Sequence, residues 1–572
     1  MRFTSLPHTA VPLLNWTWSQ LEPYVNDLRE RQLNEKSVSD WLSDWSYLGN
    51  LLDEIYWRLY VAITVDTTDR DADRRYNHFL DEIQPQWKAA EQTLKEKLLV
   101  ADLQPAGFEI ALRNFRTEAD LFREANLPLL SEHKKLATEY DKIFGAQTIL
   151  WEGQELTLPQ LQPVYQEGDR NYRERAWRLA AERQLADREA INTLWVKFMD
   201  VRGQLARNAG LPDYRTYRWR EKLRFDYTPQ DCMQFHRAIE EVVVPAAQMI
   251  YEKRRQRLGL KSLRPWDLDV DPFGEPPLRP FQSIDELEEK CARMFARVDP
   301  QLGAYFAQMR REKLLDLENR KGKAPGGYCT DFKAAGTPFI FMNAVGIHDD
   351  VQTLLHEGGH AFHAFESSLL PYHYREVPLE FCEVASMSME YLAAPYLTEE
   401  QGGFYTAGQA ARARVEHLET SLRFWPYMAV VDAFQHWVYE NHQKACDPSQ
   451  CDQKWAELWD RFMPGIDWSG LEQEKMTGWQ RKLHIHEEPF YYVEYGLAQL
   501  GAVQVWRNAL RYQPGAVAAY RKALSMGAKG TLPQLYAAAG ARFVFDAGTL
   551  QEAVQLMLET INELEEQIAF DK

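Results

Sequence analysis

The sequence predicts a mainly α-helical fold that contains one small β-sheet. Apolar residues recur at the three- to four-residue spacing of an amphipathic helix, as at Leu21, Val25 and Leu28, and this spacing continues through most of the chain. One section departs from it. Residues 322–343 contain two β-rich runs separated by Ala334-Ala-Gly-Thr337, a pattern typical of a β-hairpin.

The length of the chain predicts more than one hydrophobic core. At 572 residues it exceeds the size at which a single core stops growing, so we expect at least two lobes. Interruptions of the helical pattern divide the chain into an N-terminal helical region at 1–160, a helical lobe with a proline-rich crossing loop at 161–320, and a third region at 321–572. The third region contains the motif described below.

Charge and cysteine usage restrict the partners and the compartment. The net charge of −18 argues against nucleic acid and anionic membranes as partners. No window approaches 18 consecutive apolar residues, so we expect no membrane-spanning helix. The six cysteines lack the spacing of a disulfide framework, which is typical of a reducing compartment. We therefore expect a cytoplasmic protein, and the sequence leaves its oligomeric state open.

One helical stretch, residues 351–363, contains the pattern H-E-x-x-H as His356, Glu357 and His360. On a helix, residues four apart lie on the same face, so the two imidazoles can reach one metal ion. Glu357 can then reach a water bound to that ion. Two imidazoles and a carboxylate give zinc three protein ligands and leave a fourth position for water. The pattern therefore predicts a site for one zinc ion per chain.

The alternative for this stretch is a polar helix face with two solvated histidines. Two features favour the metal site over it. Gly358 and Gly359 each cost a helix about 1 kcal/mol relative to alanine, so their presence indicates a backbone that something approaches closely. The flanking residues are apolar, as at Val351 and Phe362, which predicts a buried helix, and buried histidines need partners.

Spacing alone does not identify the third ligand. A motif with a third histidine would need it at position 366, which is Glu366, while His363 either lines the site or packs in the core. A second predicted helix, at 377–391, supplies carboxylates instead. Its candidates are Glu380, Glu383 and Glu390.

These residues carry a resemblance to a known family. His356-Glu-Gly-Gly-His360 followed by Glu383-Val-Ala-Ser-Met-Ser-Met-Glu390 resembles the thimet oligopeptidase and oligoendopeptidase F family of zinc metallopeptidases, in the branch that includes the Pz-peptidases. The resemblance extends from roughly residue 160 to the C-terminus. It implies that His356, His360 and Glu383 hold zinc, that Glu357 is the general base, and that Glu390 orients a ligand imidazole. It also implies a two-lobed helical shell around a deep central channel, with the small sheet near the zinc-binding helix.

A second group of candidate residues lies at 483–495. If a helix begins near Pro489, Tyr491 and Tyr495 share a face, and from spacing alone core packing is the simpler interpretation. The resemblance implies instead that a histidine and clustered tyrosines bind the oxyanion and nearby substrate, and it indicates His484, Tyr491 and Tyr495 for these roles. The alternatives in the same segment are His486 and Tyr492.

The sequence therefore predicts a zinc-dependent endopeptidase that hydrolyses internal bonds of short oligopeptides by attack of an activated water. Two alternatives stay open: a zinc hydrolase of another class, such as an aminopeptidase or amidase, and a non-enzymatic helical binding protein with structural histidines. An exopeptidase needs a carboxylate that anchors the free amine, and the sequence has no specific signal for one. The hairpin either pairs with an extended peptide by strand addition or has a purely structural role.

Overall fold

The computed structural model describes residue 3 and residues 5–320, 322–324 and 326–570. These residues form mainly helices and two small β-sheets, which confirms the predicted fold class. The helices are, in chain order, α1 (Trp18–Glu30), α2 (Val38–Val65), α3 (Arg70–His78), α4 (Gln84–Val100), α5 (Glu109–Leu121), α6 (Leu127–Gly145), α7 (Gln162–Tyr165), α8 (Arg170–Ala186), α9 (Arg188–Asn208), α10 (Tyr214–Glu221), α11 (Pro229–Ala238), α12 (Val244–Arg257), α13 (Ile284–Val298), α14 (Pro300–Arg311), α15 (His348–Ser367), α16 (Leu379–Ala393), α17 (Ala407–Glu440), α18 (His442–Ala445), α19 (Pro448–Phe462), α20 (Glu472–Met476), α21 (Leu483–His486), α22 (Tyr492–Leu524), α23 (Leu532–Ala538) and α24 (Ala547–Phe570). The strands are β1 (Thr148–Trp151), β2 (Gln154–Thr157), β3 (Leu315–Glu318), β4 (Tyr328–Phe332) and β5 (Thr337–Ala344).

The chain folds into two compact units, each assembled from three separate segments. Unit 1 contains Met1–Asp120, Arg279–Ala410 and Ala498–Phe543, and unit 2 contains Leu121–Leu278, Ala411–Leu497 and Val544–Lys572. The boundaries expected at residues 160 and 320 do not coincide with those of the units. The units follow contacts between distant segments, which local composition does not reveal. The three-region division of the sequence and the arrangement around a channel stay predictions.

The first helices of unit 1 bury the faces that their periodicity predicted. Leu21, Val25 and Leu28 of α1 lie in one hydrophobic cluster with Trp41 and Trp45 of α2. The two indole rings pack edge to face, with ring centres 5.1 Å apart. This aromatic packing supplies much of the apolar area that stabilises the N-terminal part of the unit.

The sheet of unit 1 confirms the predicted hairpin and corrects one helix. β4 and β5 pair antiparallel, with Phe332 opposite Thr337, and β5 lies in the centre between β3 and β4. The sequence from Leu287 to Leu317 predicts helix throughout, but α14 ends at Arg311 and β3 pairs parallel with β5. The helix ends because Lys313 adopts a left-handed conformation, with φ 56°, that no helix can continue through.

Asp350 fixes the turn that joins this sheet to α15. One oxygen of its carboxylate accepts hydrogen bonds from the backbone N–H groups of Val345, Gly346 and Ile347, at 2.9, 2.8 and 2.9 Å. A carboxylate at the first turn of a helix also interacts favourably with the helix dipole. The sheet therefore determines where α15 begins.

Unit 2 contains a second sheet that was not predicted from the sequence. β1 and β2 form an antiparallel hairpin with a two-residue turn, and both turn residues, Glu152 and Gly153, have positive φ, at 51° and 84°. This is the geometry of a tight hairpin turn, and a glycine at the second turn position is its usual signal. That signal is present in the sequence at Trp151-Glu-Gly-Gln154.

The capping residue followed by proline in Thr228-Pro-Gln-Asp231 predicts the start of a helix, and α11 of unit 2 begins there. Thr228 caps the helix, and its hydroxyl and the carboxylate of Asp231 satisfy each other's backbone N–H groups, with Pro229 at the first helical position. No described helix of either unit combines the length and the apolarity that a bilayer crossing requires.

Candidate active site

The structure brings three of the predicted ligands of unit 1 to one point. His356 and His360 lie one turn apart on α15, and Glu383 faces them from α16. Glu383 Oε2 lies 3.3 Å from Nε2 of His356 and 3.7 Å from Nε2 of His360. All three side chains thus offer a donor atom to one small volume.

These distances fit a zinc ion. Donor atoms bound to tetrahedral zinc at ~2.0–2.2 Å lie roughly 3.3–3.6 Å from one another. The two measured separations, 3.3 and 3.7 Å, agree with that geometry. Two imidazole nitrogens and one carboxylate oxygen also form a donor set that zinc accepts with a fourth position left open.

The surroundings of His356 favour a positive charge at this point. Burial lowers the pKa of His356, but its hydrogen bonds to Glu383 and Glu390 outweigh burial and raise the pKa well above its usual value. Burial lowers the pKa of His360 to about 4, which keeps this imidazole in the neutral form that binds metals. Glu383 and Glu390 therefore stabilise a positive charge at His356. A bound metal cation can supply that charge in place of the imidazole proton.

Two further side chains orient the candidate ligands. Nδ1 of His356 lies 2.6 Å from Oε1 of Glu390, so its N–H donates to that carboxylate and Nε2 faces Glu383. Ser386 Oγ donates to Oε2 of Glu383 at 3.0 Å. The sequence analysis predicted the role of Glu390 but not that of Ser386. Ser386 lies three residues after Glu383 on the same helix, and this spacing could have indicated it.

Glu357 is buried beside the three candidate ligands. Burial raises the pKa of Glu357 to about 7; the positive charge of His356 opposes this, and the neighbouring carboxylates Glu383 and Glu390 add to it. The backbone N–H of Cys329, on β4, donates a hydrogen bond to Glu357. Strand β4 is the outer strand of its sheet. The sheet therefore places an N–H donor, as well as an unpaired strand edge, next to this carboxylate.

The two glycines of the motif allow close packing. A Cβ atom on Gly359 would lie 2.5 Å from the backbone oxygen of Ala385 and from Cα of Ser386. A Cβ atom on Gly358 would lie 2.5 Å from the ring of Phe295. These distances are too short for any real contact, so α15 and α16 reach their spacing only because position 359 has no side chain. The sequence predicted that something approaches the backbone of this helix closely, and at Gly359 that group is the backbone of α16.

The other open candidates of unit 1 lie apart from this group. His363 is buried with its ring 6.0 Å from that of Phe381, and it is not among the described donor atoms that converge with His356 and His360. Glu380 is buried and interacts with Tyr536. Of the three glutamates left open by spacing, only Glu383 is grouped with the two histidines among the described residues.

The second group of candidates forms an aromatic cluster in unit 2. The His484 ring lies 5.4 Å from that of Tyr491 and 6.1 Å from that of Tyr495, and the two tyrosine rings are 5.0 Å apart. Each of the three side chains is half-buried. The structure therefore brings the predicted histidine and tyrosines together within unit 2.

Two details of this segment differ from expectation. The sequence predicts a loop at His484 followed by a helix that begins near Pro489, but His484 lies on the short helix α21 and α22 begins at Tyr492. Phe490 delays the helix because it adopts a left-handed φ of 64° while its N–H donates to Oε1 of Gln435. Tyr491 consequently precedes the helix, yet its ring still contacts that of Tyr495.

The alternative residues in this segment are core residues. His486 is fully buried, and its ring stacks on Trp479 and Tyr140 with ring centres 5.8 and 4.4 Å away. Burial lowers the pKa of His486 to about 3, so it stays neutral at physiological pH. Tyr492 is also buried, with Nζ of Lys482 lying 4.2 Å from its ring centre. Both environments favour structural roles and leave His484 as the better exposed histidine.

Replacing Gly359 by alanine tests the close packing of the two helices. Alanine stabilises an ordinary helix position by up to about 1 kcal/mol, but here we expect a loss of roughly 1–3 kcal/mol because the added methyl group meets the backbone of α16. Chemical denaturation measures the difference. The matched control is Gly145→Ala at the end of α6, where nothing lies within 4 Å of the added atom. Equal effects of the two substitutions would contradict the packing argument.

Comparison with known proteins finds similar sequences and similar solved structures. The oligoendopeptidase F homolog of Mycoplasma pneumoniae is 23% identical over 511 residues, which cover 82% of this chain and 81% of the homolog. The solved structure of Pz peptidase A with an inhibitor matches with a TM-score of 0.86 and 28% identity, covering 97% of this chain and 98% of that one. The model of peptidase family M3 matches residues 164–555. This match spans more than half of the sequence, and the chain therefore belongs to peptidase family M3.

Proposed function

We propose that this chain is a zinc-dependent endopeptidase that cleaves internal bonds of short oligopeptides. The observation that carries the proposal is the convergence of His356, His360 and Glu383, with Glu357 buried beside them. Membership in peptidase family M3 and the similarity to oligoendopeptidase F proteins support the class of a metallo-oligopeptidase. One zinc ion per chain is proposed for this site.

Zinc, when bound, supplies Lewis-acid chemistry that polarises a carbonyl and lowers the pKa of a water towards ~7. His356 and His360 would each give it a neutral imidazole, and Glu383 would give it a carboxylate, which the hydroxyl of Ser386 holds in place. Glu390 keeps the proton of His356 on Nδ1, so that Nε2 stays available.

Glu357 is proposed as the general base and, later, the general acid. Its carboxylate accepts a proton from the attacking water and passes that proton to the leaving amine. Burial suits it to this task because it raises the pKa of the Glu357 carboxyl group, and a bound cation would oppose that rise and favour the carboxylate that accepts the proton. The N–H of Cys329 fixes the orientation of the carboxylate.

The cluster of unit 2 is proposed to bind the developing oxyanion and the substrate backbone. Tyr495 and Tyr491 supply phenol O–H donors and His484 supplies an imidazole N–H donor, and such donors typically contribute ~3 kcal/mol each when aimed at the oxyanion. Their mutual packing supports the proposal because it holds the rings in fixed orientations.

Strand β4 is proposed to receive the substrate by strand addition. Its outer edge is open among the described strands, and its residue Cys329 contacts Glu357 through the backbone. Pairing through main-chain hydrogen bonds tolerates varied side chains, which suits an enzyme that cleaves oligopeptides of varied sequence. A cytoplasmic location is proposed as well, and it is supported by the absence of any disulfide among the six cysteines, all of which the structure describes.

Replacing Glu357 by glutamine tests the general base. We expect zinc content to stay at the wild-type level while turnover falls by about 10²–10⁴-fold, because glutamine cannot accept the proton. The substrate is an internally quenched peptide blocked at both ends, which an aminopeptidase cannot cleave. Glu400→Gln, at an exposed position of the same unit, is the control. Near-normal turnover in Glu357→Gln would show that the base is misassigned.

Replacing Glu390 by alanine tests the orientation of His356. We expect zinc affinity to fall by about 10–100-fold, since the imidazole loses the partner that keeps its proton on Nδ1. Competition with a chromophoric chelator measures the change. Glu390→Gln keeps an acceptor oxygen without the charge and should lose less. If alanine and glutamine both leave affinity unchanged, Glu390 has no part in holding the ligand.

Replacing Tyr495 by phenylalanine tests the oxyanion donor. We expect kcat to fall by about 10²–10³-fold with little change in KM, because the lost donor acts only as negative charge develops. Tyr492→Phe is the matched control, since that tyrosine is buried beside the same cluster. A larger loss in Tyr492→Phe than in Tyr495→Phe would reassign the role to the buried tyrosine.

A further inference from the structure

A second group of metal-binding side chains lies in unit 2, outside the residues assigned to peptide hydrolysis. Cys232 on α11 and Asp432 and His436 on α17 each offer a donor atom, and these atoms lie within 4.8 Å of one another. The relative exposure of the three residues is 0%, 0% and 2%. Such burial is unusual for a carboxylate and an imidazole together, and it requires an explanation.

The spacing within each helix is that of a metal site. His236 follows Cys232 by four residues on α11, and His436 follows Asp432 by four on α17. Side chains four apart lie on one face of a helix, so each helix directs two metal-binding side chains to the same region. Nε2 of His236 lies 2.8 Å from Oδ2 of Asp432, which shows that the two faces meet.

Pairing within the group uses only one oxygen of the Asp432 carboxylate. Nε2 of His236 lies 2.8 Å and Nε2 of His436 lies 3.3 Å from Oδ2 of Asp432, whereas Oδ1 of Asp432 has no hydrogen-bond partner among the described residues. A buried polar atom without a partner is costly, and a cation bound beside it would supply one.

The surroundings of the group are aromatic. The ring of His436 lies 5.2 Å from that of Phe490 and 6.0 Å from that of Trp219, and the ring of His236 lies 6.4 Å from that of Phe462. Such a shell excludes solvent, so an ion held here would have protein ligands rather than a water exchanging with substrate. A structural role, joining α11 to α17, fits this setting better than a catalytic one.

We propose that Cys232, His436 and Asp432 bind one zinc ion, with Oδ1 of Asp432 joining Oδ2 as the fourth donor atom and His236 holding the carboxylate in place. A thiolate with an imidazole favours zinc over magnesium or calcium, which prefer oxygen ligands. Binding releases the thiol proton of Cys232 to solvent, because the thiolate is the ligand. The site is separate from the peptidase centre and does not depend on the function proposed for it.

One neighbour must adjust when the ion binds. Nη1 of Arg215 lies 3.3 Å from Nδ1 of His436 and 2.5 Å from Oε1 of Glu440. Coordination through Nε2 leaves the imidazole proton on Nδ1, facing a guanidinium that cannot accept it. Arg215 then loses its contact with Nδ1 of His436 and keeps its shorter ion pair with Glu440.

Cobalt reconstitution of the full chain tests the proposal. Co²⁺ replaces zinc in sites of this kind, and a thiolate ligand adds a sulfur-to-cobalt charge-transfer absorption that histidine and carboxylate ligands do not give. We expect two cobalt ions per chain and this absorption in the wild-type protein. His356→Ala/His360→Ala should lose one ion and keep the absorption, whereas Cys232→Ser should lose the absorption and the other ion.

Three outcomes would overturn the proposal. The first is a wild-type protein that binds cobalt without the thiolate absorption. The second is absorption that survives in Cys232→Ser but disappears in Cys329→Ser, which would assign the thiolate to the residue near Glu357. The third is a His356→Ala/His360→Ala double variant that binds no cobalt at all.

A second measurement covers the case in which Cys232→Ser does not fold. In the His356→Ala/His360→Ala protein, added Zn²⁺ should raise the thermal unfolding midpoint, since only the buried site remains to bind it. No shift in that protein contradicts the second site, whatever the state of Cys232→Ser. Failure of the peptidase proposal is distinguished by an unchanged metal count when His356 and His360 are replaced.

Discussion

The backbone contact between α15 and α16 at Gly359 is the constraint on which the candidate active site depends. Without a side chain at this position, the backbone of Ala385 and Ser386 lies against α15. That approach brings Glu383 within 3.3 and 3.7 Å of the two histidine nitrogens. Tyr520 strengthens it by donating its O–H to the backbone oxygen of Ala385 at 2.8 Å. If the helices were farther apart, His356, His360 and Glu383 could not reach the same metal ion.

The chemistry of the site follows from burying carboxylates together. Glu357, Glu383 and Glu390 lie close enough to influence one another; Glu357 and Glu383 are buried, and Glu390 is only partly exposed. Such a group is stable only if positive charge is present or if one member takes up a proton. The arrangement therefore favours a cation between the ligands and, at Glu357, a group that exchanges its proton near neutral pH.

The requirement that buried charge be compensated applies also to the polar side chains buried between α11 and α17. Asp432 is stabilised by His236 and His436, and both histidines are themselves enclosed by aromatic rings. In both units, a pair of metal-binding residues four apart on one helix faces a partner helix. The difference is exposure, since His356 and His360 are partly accessible and Cys232 and Asp432 are not. Accessible groups suit turnover of a substrate, and enclosed groups suit a permanent structural contact.

Local sequence pattern was enough to predict the amphipathic helices, the hairpin of β4 and β5, the helix carrying His356 and His360, and a short set of candidate glutamates. It did not determine the strand β3, since its pairing with β5 joins segments separated along the chain. Spacing alone left Glu380, Glu383 and Glu390 open and the family resemblance indicated Glu383; in the folded chain Glu383 is the one grouped with His356 and His360 among the described residues, because the three glutamates share one helix and differ in what α15 places opposite them. The tertiary structure likewise separated His484 from His486, which are two residues apart but lie in a half-buried cluster and a closed aromatic core. Periodicity specifies the face of a helix, whereas the partner of that face is fixed by packing between distant segments.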